Sequence, residues 1–536
     1  MSFRTNLKQR RRRSYAAYAL PLAGLASLLA GCAVGPDYQS PPTEVRANWI
    51  EARDSRVVTR KEIRAHWWKV FKDPTLDRLI EVAYEENLPV RIAGLRIMEA
   101  RAQLGVAVGS LFPQTQEGAG EAQWNKLSSR VANQGSGIQH AFALYNLGFD
   151  AGWELDFWGR FRRNVEASEA GLLASAAEYD NALVSLTAEV ARTYTAMRTA
   201  EVFIALAHEN AKIQQEGLDV ALSRFRNGAT SELDVAQARS LLESTLATIP
   251  QYQADLQHTK NALSVLLGRP PGQIDSLLRG PQVIPSPPRR IAIGLPAELL
   301  RRRPDVRAAE LAAAAESARI GVAEADLYPR FFLFGEIGAQ ASNAAKLFAP
   351  GSLALTAGPG FKWSILNYGQ ITNNVRAQDA RYQEALVHYQ DTVLKAAQEA
   401  EDGLISYLKQ TDSAVSELKS VEAARRSVDL AMIQYREGAD NYQRVVDAER
   451  FLLQEKNRYA ETRSAIAANL IAVYKALGGG WELREGKPII PPAMQAEMAA
   501  RTNWGDLLPA QSPPVTPDLP LPTPAGAAPI LLPPDW

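Results

Sequence analysis

In 536 residues there is one cysteine, at position 32. No disulfide can brace the fold within a chain, and no cysteine-rich metal site can form. Histidine is nearly as scarce: His66, His140, His208, His258 and His388 are scattered without metal-ligand spacing. No glycine-rich phosphate loop or nucleophile elbow accompanies them, so neither an enzyme nor a cofactor is expected. Net charge is absent too, with Lys plus Arg and Asp plus Glu each numbering 59. Without a basic excess, nucleic acid is not an expected partner. No apolar run reaches the about 20 residues of a membrane-spanning helix.

What is present begins at the amino terminus. Arg4, Lys8 and Arg10 to Arg13 precede an apolar stretch from Ala16 to Ala30, the pattern of a secretory signal. Leu29, Ala30 and Gly31 lead directly into Cys32, and small residues before a cysteine suit the lipoprotein signal peptidase. Residues 1–31 are then a removed signal peptide, and the mature chain starts at a lipid-bearing Cys32. Each acyl CH₂ buried in the membrane contributes about 0.8 kcal/mol to anchoring. The plainer alternative is an Ala-x-Ala-like cleavage with Cys32 incidental. Removing the six basic residues of the signal leaves 53 against 59 acidic ones, a net charge of −6.

The chain contains itself twice. Gly105-Val106-Ala107 and Leu111-Phe112-Pro113 recur as Gly321-Val322-Ala323 and Leu327-Tyr328-Pro329, a shift of 216. Trp153, Gly159, Val165, Tyr179 and Glu189 recur as Trp363, Gly369, Val375, Tyr389 and Glu399, a shift of 210. The same shift carries Phe225–Ala229 onto Tyr435–Ala439 and Leu267-Gly268 onto Leu477-Gly478. The six-residue change falls between residues 113 and 153, where Asn133-Gln134-Gly135-Ser136-Gly137 reads as a hairpin loop.

Within each repeat the hydrophobic period switches from helical to two-residue and back. Leu147, Phe149, Ala151, Trp153, Leu155 and Phe157 alternate with Gly148, Asp150, Gly152, Glu154 and Asp156; Leu353, Leu355, Ala357, Phe361, Trp363 and Ile365 do the same in the second repeat. Weaker strands precede them near Thr115–Trp124 and Arg330–Gln340, the latter marked by Phe332 and Phe334. A soluble sandwich would explain such alternation, but no second sheet is available to cover these strands. Lipid on one face and a wet lumen on the other fits better. Four strands cannot close a barrel, and an open edge cannot sit in hydrocarbon, so the chain must oligomerise. Two, three or four copies satisfy that geometry.

After each hairpin comes a proline-free run rich in helix formers, from about 163 to 227 and from about 372 to 437. At 1.5 Å per residue each makes a helix of roughly 95 Å. Gly228 and Gly438 should end these helices, and Ser231 and Asn441 are candidate caps for returning helices that reach Leu267 and Leu477. The expected organisation is an extended segment over 32–66, a first repeat over 67–268 with its β-hairpin at about 114–157 and helical hairpin at about 163–267, and a linker over 269–295. A second repeat follows over 296–481, with a β-hairpin at about 330–367 and a helical hairpin at about 372–477. A Pro-rich tail over 482–536 closes the chain, its stretch from Pro509 too rich in proline to pack.

Cys32-Ala33-Val34-Gly35-Pro36-Asp37-Tyr38, Trp67-Trp68 with Phe71, Asp73-Pro74 and Leu76, Leu299–Arg307, and the two Gly-Ala tips together resemble the TolC-like outer-membrane factor family, in its lipoprotein, NodT-type efflux branch. The resemblance spans nearly all of the mature chain to about Trp481. It implies an α+β membrane protein: a homotrimer with a twelve-stranded transmembrane β-barrel, four strands per chain, continued by a periplasmic α-helical coiled-coil barrel. Its partners would be outer-membrane lipids, a periplasmic adaptor and an inner-membrane pump, of the proton-driven RND type. The channel itself would be passive. A duct for type I protein secretion is the alternative within the same architecture.

Residue by residue, the resemblance places adaptor contacts at Arg226, Asn227, Gly228, Ala229, Thr230 and Ser231, and at Arg436, Glu437, Gly438, Ala439, Asp440 and Asn441. These glycines could also do no more than turn the chain. The resemblance further implies a periplasmic gate at Asp447, with Arg450 three residues on and Tyr435 before the tip. The plainer readings are an i,i+3 surface pair contributing about 0.2 to 0.5 kcal/mol and an interhelical packing tyrosine. Gln443 and Arg444 depart from relatives that place an apolar residue or another acid there.

Overall fold

A computed structural model describes residues 33–42, 46, 48–59, 65–128, 130, 139–288, 290–293 and 302–508. Leu29, Ala30, Gly31 and Cys32, the 133–137 loop, Leu299 to Arg301 and the stretch from Pro509 onward lie outside the described residues.

Four strands form one antiparallel sheet: β2 (Thr115–Lys126), β3 (Ala141–Leu155), β5 (Arg330–Ala341) and β6 (Leu353–Lys362), in the order β2-β3-β5-β6. The two hairpins, one from each repeat, meet along β3 and β5. Register sorts the side chains. Leu147 opposes Ala339, Phe149 opposes Ile337, Trp153 opposes Leu333 and Leu155 opposes Phe331. These in turn lie opposite Leu353, Leu355, Pro359 and Phe361 of β6. Because directly opposed residues share a face, one face is apolar across β3, β5 and β6, and β2 extends it with Trp124, Ala122 and two glycines beside Gln116. It is uncovered: Phe149 is 72% exposed and Leu353 73%.

The other face carries Glu117, Asp150, Glu154, Glu336, Thr356 and Lys362. Phe332 and Phe334, which marked β5 in the sequence, lie on this polar face. They sit opposite Gly360 and Gly358, where a Cβ on Gly360 would meet the Phe332 ring at 2.5 Å. Aromatic rings thus fill the gaps that glycines leave across the strand pair.

The long helices are α3 (Arg160–Arg226) and α7 (Gln370–Arg436), each of 67 residues, so each roughly 100 Å long. Their starts and ends are related by the same shift of 210, and both begin at a glycine of positive φ, Gly159 and Gly369. Other repeat-related details coincide. Trp153 Nε1 donates to the Leu111 carbonyl at 3.1 Å, and Trp363 Nε1 donates to Leu327 at 3.0 Å.

The returning segments differ. In the second repeat α8 (Tyr442–Ala476) is continuous, whereas the first return is split at Ala247 into α4 (Glu232–Leu246) and α5 (Thr248–Leu266). Pro250 explains the break. Without an N–H it suits the first turn of a new helix, where that donor has no intrahelical partner, and not a helix interior.

The main core lies where short helices α1 (Pro74–Glu86) and α2 (Leu88–Gly109) pack against α3, α7 and the end of α8, while α6 (Pro304–Glu324) packs on the long helices in smaller clusters of its own. Trp67 is buried and stacks on Tyr474 at 5.4 Å. Asp73 caps α1 by accepting from Thr75 N and Leu76 N, and also accepts from the Tyr194 hydroxyl at 2.7 Å. Arg303 donates to the Ala476 carbonyl at the end of α8 and pairs with Asp305 and Glu399. The motifs behind the family resemblance are therefore fasteners of the core.

Two expected segments are more structured than the sequence suggests. The segment over 32–66 and the linker over 269–295 are joined by a parallel pairing of β1 (Val57–Thr59) with β4 (Ile291–Ile293). The first part of the tail, residues 482–508, packs on the rest of the chain. Arg484 is buried and paired with Asp180, and Met498 of α9 (Pro492–Arg501) joins Ile490, just before that helix, against Met98. Apolar residues at 489, 490, 494 and 498 sit among the prolines and give this segment a face to bury, which proline content alone obscures.

Candidate gate and docking surface

Both helical tips end in the same backbone device. At the first, Gly228 N donates to Phe225 O at 2.9 Å and Ala229 N to Arg224 O at 2.8 Å; at the second, Gly438 N donates to Tyr435 O at 3.0 Å and Ala439 N to Gln434 O at 2.9 Å. Gly228 and Gly438 hold φ of 68° and 75°, a left-handed turn that glycine takes without a Cβ penalty. Arg226, Asn227, Gly228, Ala229, Ser231, Arg436, Glu437, Gly438, Ala439 and Asn441 are exposed, Thr230 and Asp440 half-buried.

Ser231 and Asn441 occupy the cap positions of α4 and α8, but neither side chain accepts a capping hydrogen bond. The polar work is done next door. Thr230 bonds Asp234, and Arg444 pairs with Asp440 at 2.6 Å.

One residue that sequence reasoning missed ties the tips together. Arg224 Nη1 donates to the carbonyls of Tyr435 and Arg436, both at 2.7 Å, and Nη2 donates to Ala229 O at 3.2 Å. Its guanidinium also lies 4.9 Å from the Tyr435 ring centroid, over the face of the ring. No motif pointed to it, because the repeat places Gln434 at the equivalent position.

The three expected gate residues do not converge within the chain. Tyr435 is buried, in edge contact with Tyr442 at 4.9 Å, within a cluster that includes Val235, Leu241, Val445 and Val446. Its hydroxyl turns toward Thr230 and Asp234, and burial raises its pKa above the ordinary tyrosine value. Asp447 and Arg450 lie on the exposed face of α8, and among the described residues no ion pair joins them. Instead Gln443 Nε2 donates to Asp447 Oδ1 at 2.8 Å, while Gln237 Nε2 of α4 donates to Gln443 Oε1 at 2.9 Å. Gln443, the departure noted in the sequence, links the carboxylate of one repeat to the helix of the other.

At the opposite end, the residues after Cys32 are clamped. Val34 N donates to Trp158 O at 3.0 Å. Arg163, with a side chain only 2% exposed, donates to Val34 O, Gly35 O, Asp37 and Glu166. A Cβ on Gly35 would stand 2.4 Å from the Gly321 Cα, so the arm lies directly on α6. Ala33 is thereby held at Gly159, where the sheet gives way to α3.

The family model for outer membrane efflux proteins matches residues 79–269 and 295–479. The chain belongs to that family. The two matched stretches are the two repeats. Among its relatives, the toluene efflux pump outer membrane protein TtgI of Pseudomonas putida is 30% identical over 477 residues, covering 87% of this chain and 99% of that one. The pyoverdine export outer membrane protein OpmQ of Pseudomonas putida is 30% identical over 448 residues, covering 83% and 94%. Among solved structures, the outer-membrane channel OprN superposes with a TM-score of 0.79 at 34% identity, over 84% of this chain and all of that one. The open-state MtrE outer membrane channel of Neisseria gonorrhoeae gives 0.70 at 28% identity, over 84% and 99%. This efflux protein is an outer-membrane channel with the TolC-like combination of a sheet and long helices.

Proposed function

We propose that three copies of this chain close a twelve-stranded barrel in the outer membrane and continue it as a helical tunnel into the periplasm, forming the passive exit duct of a tripartite efflux system. One observation carries the reading: a four-stranded sheet whose apolar face is uncovered and whose outer strands, β2 and β6, have no further neighbour among the described residues. Strands of 10 to 15 residues suffice for a tilted membrane crossing, which takes about 9 to 11. Hydrocarbon tolerates such a sheet only when its edges are closed.

Cys32 carries the lipid. The Arg163 clamp supports this, because Ala33 is fixed at the junction of sheet and helices, where an acyl chain meets the membrane surface. The exposed tips dock a periplasmic adaptor, which connects the duct to a proton-driven inner-membrane pump of the RND type. Relatives named for toluene efflux and pyoverdine export support small molecules as cargo.

Asp447, with Gln443 behind it and Arg450 beside it, narrows the periplasmic entrance once three chains surround it. In a planar bilayer, Asp447→Ala should raise single-channel conductance about tenfold relative to the parent, the scale of a typical coupling between states. Equal conductance of parent and variant across several salt concentrations would sink the gate assignment.

A further inference from the structure

Behind the Asp447 face, α8 buries a carboxyl group that nothing in the gate uses. Glu449 is 3% exposed, and neither of its carboxyl oxygens has a hydrogen-bond partner among the described residues. Tyr442, two turns earlier on the same helix, is fully buried and its hydroxyl is likewise unpartnered. The two converge over one position of α3: a Cβ on Gly217 would lie 2.6 Å from the Tyr442 hydroxyl and 3.6 Å from Glu449 Oε1. Gln214, one turn earlier on α3, is 1% exposed with its carbonyl oxygen unpartnered.

The remaining neighbours offer no countercharge. From α7, Met432 approaches Gly217, and Tyr435 stands against Tyr442. From α4, Asp234 adds a negative charge near Tyr442. Lys456, two turns beyond Glu449, is taken up by Glu209 at 3.1 Å and Asn210 at 3.3 Å. An unpaired carboxylate in such surroundings is costly, whereas a neutral acid can donate one hydrogen bond and accept another.

We infer that Glu449 is a proton-sensitive latch: protonated, it lets α8 pack tightly on α3 and α7, and ionised, it loosens the bundle that backs the Asp447 face. The proton exchanges with periplasmic water, and no other reactant is needed. Burial raises the Glu449 pKa to about 7, so the switch falls near neutrality. With the folded-state value above the unfolded one, the protonated latch stabilises the bundle at acid pH. That stabilisation is lost as pH rises toward about 7 and stays lost above it.

The latch rests on the reading of this end as the gate, and the test separates the two. Single-channel recordings of the full-length channel compare the parent, Glu449→Gln and Asp447→Ala on either side of neutrality. The parent's open probability should rise about tenfold from the acid to the alkaline side. Glu449→Gln should stay at the parent's acid value throughout, and Asp447→Ala should keep the step on a leakier baseline. A step that survives in Glu449→Gln, or one that vanishes in Asp447→Ala alone, overturns the latch. An Asp447→Ala baseline equal to the parent overturns the gate reading but not the latch. Thermal unfolding gives a second readout: between acid and neutral pH the parent should lose more stability than Glu449→Gln, which keeps the share owed to other buried carboxyls such as Asp180, and equal losses overturn the latch.

Discussion

Arg163 concentrates more obligations than any other side chain at the junction of sheet and helices. Its guanidinium satisfies two arm carbonyls, Asp37 and the buried Glu166. Truncating it takes one buried partner from the Glu166 carboxylate, which is 8% exposed, and frees the arm, and breaking a buried pair from one side costs up to about 3 to 5 kcal/mol. Arg163→Ala should therefore lower the thermal midpoint and open the Val34–Tyr38 arm to protease in the folded channel. Arg163→Lys should rescue little, since an ammonium cannot reproduce the planar fork. An arm that stays protected in Arg163→Ala would remove the clamp from the account. Nothing in the sequence singled out Arg163, because its partners in the arm lie more than a hundred residues away. The Gly-Pro-Asp-Tyr motif it grips was visible only as a pattern.

At the scale of elements, the tips make a sharper contrast. Gly228 and Gly438 hold the same backbone conformation, yet nothing lies within 4 Å of a Cβ at Gly228, whereas one at Gly438 meets Arg224 Nη2 at 3.3 Å. Alanine at Gly228 should cost only the left-handed penalty of about 1 to 2 kcal/mol. At Gly438 it should add displacement of the arginine that ties the tips, so Gly438→Ala should weaken adaptor capture and lower the melting temperature more than Gly228→Ala. Equal effects would mean that Arg224 contributes nothing at the tip.

Long elements were legible because their signals are local. Two 67-residue helices and their glycine ends follow from composition and spacing, and strand parity follows from alternation. What escaped the sequence depends on contacts between distant segments: the β1–β4 pairing, the packing of residues 482–508, and the seat of Phe332 and Phe334 over glycines of β6. The gate illustrates the same division. Asp447 was placed on its helix, but the bond from Gln237 of α4 to the Gln443 behind it and the burial of Tyr435 are tertiary facts.

For the whole molecule, the open sheet is the decisive feature. One face of the sheet is largely apolar and uncovered, and among the described residues neither β2 nor β6 has a further neighbour. Such a sheet is unstable alone in lipid and in water, so the chain's stability as a channel depends on how many copies close the ring. The native mass of the full-length protein extracted from outer membranes in mild detergent tests this most directly. Three copies that separate only on heating are predicted; a monomer, or a ring of two or four copies, would contradict the account.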